Sequence, residues 1–101
     1  MPKKLKIPYY AKIAARKGLQ ERKDNQAGLT PKQARMMGIT SGVDRARQIL
    51  RNKSLSEKNL KAIARFYLRF RGRRTKRTET AIKLWGGRRF GRILARIYYK
   101  K

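Results

Sequence analysis

Thirty of the 101 residues are Lys or Arg and only five are Asp or Glu, and the excess runs from Lys3 to Lys101 rather than sitting in one tail. A chain with a formal charge of +25 repels itself in any compact form, so its fold gains stability from a polyanion that neutralises it. Nucleic acid is the commonest such partner. Arg is prominent in the second half, where its forked guanidinium matches phosphate oxygens in two-point contacts and stacks on bases. That chemistry favours nucleic acid over a merely acidic protein.

Hydrophobic residues make up 40% of the chain, too many for a simple disordered polycation. The length suits one small domain with a modest shared core. Cysteine is absent, which excludes disulfides and thiol chemistry. Lysines and arginines interrupt every apolar run near the start, so nothing there resembles a secretory signal, and no stretch approaches the roughly 20 apolar residues of a membrane helix.

The expected fold is all-α: a compact bundle of five or six short helices over residues 9–101, preceded by an extended basic arm over 1–8 that Pro2 and Pro8 bracket. Tyr10, Ile13, Ala14 and Lys17 recur at helical spacing, with Gly18 expected to bend or end this first helix before the polar stretch Gln20 to Gln26. Gly28 and Leu29 lead into Thr30-Pro31, with Gln33 completing a capping-box pattern, and Gly38 is expected to stop that second helix. Ser41 to Asp44 repeats the capping pattern ahead of an apolar face of Val43, Ala46, Ile49 and Leu50. Ser56 is the expected cap of the longest helix, whose period runs through Leu60, Ile63, Ala64, Tyr67 and Phe70 to Gly72. Thr78 and Glu79 are the expected start of a helix through Ile82 and Trp85, broken by Gly86-Gly87. Phe90, Ile93, Leu94, Ile97 and Tyr98 then make the last helix amphipathic. No run alternates with period two, so no strand is expected.

The acids argue against catalysis. Asp44, Glu57 and Glu79 fall in expected first helical turns, where a carboxylate complements the helix dipole. Only Glu21 and Asp24 remain, and two carboxylates at i, i+3 in a lysine-rich segment read as a solvated face rather than a magnesium site. There is no histidine and no phosphate-cradling glycine motif, so the expectation is a protein that is not an enzyme and holds no cofactor.

The cations are patterned. Lys58, Lys61, Arg65 and Arg69 fall at i, i+3, i+7 and i+11, and Arg89, Arg92, Arg96 and Lys100 repeat that spacing. Each row spans about 16 Å at the helical rise, the scale on which successive backbone phosphates are met. An ordinary solvated helix face mixes signs, and these hold almost no counter-charge. Between them lies a basic connector of Arg71, Arg73, Arg74, Lys76 and Arg77, and Arg88 adds a further cation after the paired glycines. All fourteen are candidate nucleic-acid contacts. Tyr67, Trp85, Phe90 and Tyr98 fall on apolar faces and are expected in the core. Tyr9, Tyr10 and Tyr99 are the better candidates for base stacking, though each could equally cover the core edge.

From Ser41 onward the chain resembles a small domain of tailed bacteriophages and prophages found within or beside head-maturation proteins. The matching pieces are Gly42-Val43 with Arg45-Ala46-Arg47, Ser56, Phe66-Tyr67 with Arg69, and Leu84-Trp85-Gly86-Gly87 with Gly91 and Ala95; Lys17-Gly18-Leu19 with Arg22 resembles the same family's first segment. The family pattern usually has His and acidic residues after its paired aromatics and an Asp after its paired glycines, where this chain has Phe70, Arg71, Gly72, Arg73 and then Arg88. The resemblance implies a helical, non-catalytic, phage-encoded protein of the virion or of the host cytoplasm, here turned toward a polyanion. Duplex DNA is the favoured partner, bound with little sequence preference, and capsid or head proteins are possible partners. The alternatives are a ribosomal or other ribonucleoprotein component on structured RNA, a capsid scaffold or cement protein, and a membrane-active cationic helix.

Overall fold

The computed structural model describes residues 2–25, 30–37 and 41–100. Among these, six helices carry the fold: α1 (Tyr9–Asn25), α2 (Pro31–Met36), α3 (Gly42–Arg51), α4 (Glu57–Phe70), α5 (Lys76–Leu84) and α6 (Gly87–Tyr99). Two three-residue strands, β1 (Lys4–Lys6) and β2 (Ser54–Ser56), accompany them. The predominantly helical fold agrees with the apolar spacing. Gly28, Leu29 and Gly38 lie outside the described residues.

Helices this rich in long cationic side chains come together closely where their contacts are small and apolar, and alanine provides the contact. Ala11 and Ala15 of α1, Ala46 of α3 and Ala64 of α4 are all fully enclosed. Around them pack the larger core residues Ile49, Leu60, Ile63, Leu84, Phe90 and Leu94. The principal pairings are α4 on α6 and α1 on α5 and α3. Tyr67, Phe90 and Tyr98 are buried as expected.

The helix starts follow local chemistry. Thr30 and Gln33 complete their capping box, with Thr30 Oγ1 accepting from the Gln33 N–H at 3.1 Å and Gln33 Oε1 accepting from the Thr30 N–H at 3.0 Å. Ser41 Oγ accepts from the Asp44 N–H at 3.0 Å. At the other end of α3, Lys12 donates to the carbonyls of Ile49, Leu50 and Asn52 at 2.9, 3.3 and 2.6 Å, placing a cation where the helix dipole is negative.

Four local expectations are corrected. Gly18 does not end α1, which continues to Asn25; a Cβ there would stand 2.7 Å from the Leu84 backbone nitrogen, so the glycine lets α5 cross α1 closely. Ser56 precedes α4 but makes no capping bond with its side chain, whose Oγ accepts from Asn59 Nδ2 instead. The Glu57 N–H donates to the Lys3 carbonyl at 2.7 Å, so the arm does the capping. α5 begins at Lys76, two residues before Thr78, because Thr75 Oγ1 accepts from the Thr78 N–H and nucleates the turn.

The fourth correction is the small sheet. β1 and β2 pair antiparallel with Leu5 opposite Leu55, and the Ile7 N–H extends the ladder to the Lys53 carbonyl at 2.8 Å. Three-residue strands are too short to show a period of two, and partners some fifty residues apart leave no hairpin signature. Ile7 and Leu55 are buried behind the pair, and Tyr98 Oη donates to the Pro2 carbonyl at 2.7 Å. The basic arm is thus extended but docked on the body.

Candidate nucleic-acid interface

The α6 row keeps the pattern read from the sequence. Arg89, Arg92, Arg96 and Lys100 are exposed, and none forms an ion pair among the described residues. Phe90, Leu94, Ala95 and Tyr98 on the other face of the same helix are buried, so the core fixes which way the row points. Arg89 also lies over the Tyr10 ring, its guanidinium carbon 4.1 Å from the centroid. That contact and the packing of Tyr10 against the core make it a support for Arg89 rather than a free stacking platform.

The α4 row divides. Lys58, Arg65 and Arg69 are exposed, but Lys61 is half-buried and pairs with Glu57 at 2.8 Å. That bond lowers the Glu57 pKa and raises the Lys61 pKa, keeping both ionised and joined. Arg65 donates to Tyr99 Oη at 2.9 Å, which makes Tyr99 a partner of the basic row.

Arg88 has a structural place. Its guanidinium binds the Glu79 carboxylate and donates to the carbonyls of Arg71 and Arg73 at 2.9 and 3.0 Å. It therefore ties the connector to α5 and α6, and it stands apart from the exposed contacts. Arg71, Arg73, Arg74, Lys76 and Arg77 remain exposed. Lys76 and Arg77 open α5 and so sit at the positive end of its dipole, a cost that an anion relieves.

Four of the five acids are engaged within the protein or its helix starts. Glu21 accepts from Lys83 and from Thr80 Oγ1, Glu57 from Lys61 and Glu79 from Arg88, while Asp44 lies in the first turn of α3. The bond from Lys83 is the largest influence holding the Glu21 pKa down, and the bond from Arg88 does the same for Glu79. The side chain of Asp24 lies outside the described residues, and among the described residues no three carboxylates cluster into a metal site.

The structure adds a site that spacing did not expose. The N-terminal end of α3, the outer face of α4 and α5 enclose a groove of about 910 Å³. Lys58, Arg65, Arg69 and Arg77 line it as exposed cations, and Phe66, Phe70 and Trp85 line it as half-buried aromatics. Among the described residues no carboxylate lines it. Trp85 packs against the core as expected but is only partly buried, with one side on the groove. The turn at Gly86, which has φ of 102°, carries the chain away just after it and leaves the indole on the groove wall.

Trp85 belongs to a ladder of rings and guanidinium groups. The Phe66 ring stacks on it at 4.3 Å with the planes 2° apart, and Phe66 meets Phe70 at 4.8 Å in a tilted contact. The Arg73 guanidinium lies 5.5 Å from the Phe70 centroid. At the inner end Arg45 places its guanidinium carbon 4.6 Å from the Trp85 centroid. Arg45 is only 4% exposed, and its Nη1 donates to Gln48 Oε1 at 2.6 Å and Asn59 Oδ1 at 2.9 Å. Its Nε is buried with no hydrogen-bond partner among the described residues, and burial pushes the guanidinium pKa down to about 10. The one sequence signal for this groove is the adjacent i, i+4 pairs Arg65/Arg69 and Phe66/Phe70, which set a cationic column beside an aromatic one.

The chain matches no family model, no curated protein and no solved structure. Among the described residues no helix is long and apolar enough to cross a membrane.

Proposed function

We propose that this is a non-catalytic nucleic-acid-binding protein that holds the phosphate backbone with little sequence preference. The observation that carries the reading is the row of Arg89, Arg92, Arg96 and Lys100, exposed on one helix while Glu21, Glu57 and Glu79 are committed to Lys83, Lys61 and Arg88. Cations with no carboxylate partner among the described residues, in a chain of charge +25, are neutralised by an external polyanion, and each phosphate they engage releases condensed counterions. The resemblance to a phage head-associated domain makes phage DNA, in the virion or during packaging, the natural target, with duplex as the favoured form.

Titration of unrelated duplexes of equal length tests the reading. Their affinities should be similar, and each should weaken by roughly 10³-fold or more between about 50 and 200 mM salt if six or more phosphates are engaged. A flat salt response would overturn it. Structured RNA titrated in parallel separates the DNA reading from the ribonucleoprotein one, since preferential binding to RNA favours the latter.

A further inference from the structure

We infer that the groove between α3, α4 and α5 holds an unstacked nucleotide, with its phosphates on the exposed cations and its base against the aromatic ladder. The inference rests on the backbone-binding reading above and deepens it.

Two chemistries meet in this groove that a paired duplex cannot satisfy together. Arg65, Arg69 and Arg77 offer forked donors for phosphate, and no carboxylate among the lining residues competes for them. Phe66 and Arg45 already cover the two faces of Trp85, so the ring a base can join is Phe70 at the outer end of the ladder, approached there only by the exposed Arg73. A duplex keeps its base faces inside its own stack, so it presents phosphates to the cations and nothing planar to the rings. A nucleotide in a single-stranded segment presents both, and base–aromatic stacking beside a cationic track is how sequence-tolerant single-strand binding is built. The groove volume lies within the range of sites that enclose small ligands, roughly 300–1,000 Å³.

Arg45 points to a ligand independently of the exposed charges. It lines the groove, is 4% exposed, and has hydrogen bonds to two neutral amides but no ion pair among the described residues. A buried cation is ordinarily matched by an anion, and its Nε remains an unpaired donor among the described residues. Nε itself is closed to the groove, so what a phosphate bound there supplies is the counter-charge for the guanidinium that lines it. Arg is also suited to lie against a π-face, as it already does at Trp85.

Trp85 is the sole tryptophan, so the full-length protein reports on its own groove. Three probes of identical sequence are compared by anisotropy and Trp85 emission: a fully paired duplex, the same duplex with a short single-stranded overhang, and that duplex with an abasic overhang. The natural overhang should bind roughly 5- to 100-fold more tightly than the paired duplex and shift Trp85 emission, and the abasic overhang should do neither to that extent. Phe70→Leu should reduce the preference for the natural overhang, and Arg77→Gln, at an exposed position, should do so with helicity retained in circular dichroism. Equal binding and an equal Trp85 response for all three probes would overturn the inference while leaving the backbone reading intact, as would an abasic overhang that matches the natural one. A poly-glutamate peptide that shifts Trp85 emission as strongly as the natural overhang would assign the groove to an acidic protein instead. Binding to none of the three DNA probes at low salt would remove both readings.

Discussion

Gly91 of α6 lies so close to Tyr67 of α4 that a Cβ on the glycine would stand 2.6 Å from both Cβ and Cγ of the tyrosine. Both residues are buried, and they belong to the pair of helices with the most extensive mutual packing. The atoms that would be met are at the root of the Tyr67 side chain, which cannot swing aside. Gly91→Ala should therefore push the helices apart and destabilise the fold by about 1–3 kcal/mol, despite alanine's better helix propensity. Chemical denaturation of the two proteins measures this, and an unchanged or raised midpoint would show that the contact relaxes freely.

The Glu79–Arg88 pair makes stability depend on pH. The bond from Arg88 lowers the Glu79 pKa below its ordinary value of 4.5 in the folded state, so the unfolded chain takes up its proton first as pH falls. The contribution of Glu79 is thus fully present above that ordinary value and is lost as pH drops through the lowered one. Glu79→Gln should reduce the melting temperature at neutral pH and flatten its decline between about pH 5 and pH 3. The residual decline should come from Glu21 and Glu57, whose pKa values are also lowered. Melting curves across that range test it; identical slopes for the two proteins would dissociate Glu79 from acid sensitivity.

If the α6 row grips phosphates together, replacing Arg89, Arg92, Arg96 and Lys100 with Gln should leave helicity nearly intact, since Gln is almost as good a helix former as Arg. Binding should weaken on every sequence, and the salt slope should become shallower by roughly three to four. The matched control for net charge is Lys3, Lys4, Lys6 and Lys53, all exposed. Lys12 is unsuitable for it because its ammonium group binds the last carbonyls of α3. Equal losses in the two quadruple variants would reduce the row to a diffuse polycation.

The helical fold was legible because its cause is local. Apolar residues at spacings of three and four fix a helix face whatever the rest of the chain does, and Thr30 and Ser41 mark helix starts through bonds to residues three positions on. The α6 row was legible for the same reason, since Phe90, Leu94 and Tyr98 set the buried side and leave Arg92 and Arg96 outside. What the neighbours of each cation are is not a local property. Tertiary structure alone decided that Arg88 binds Glu79 and two connector carbonyls, that Lys12 caps α3 from another helix, and that β1 finds β2 across some fifty residues. It also decided the fate of Arg45 and Trp85. A sequence states that one is charged and the other aromatic, but only the approach of α3, α4 and α5 buries the arginine and leaves the indole on a groove wall, because burial is set by which surfaces meet and not by the residues' own preference for water.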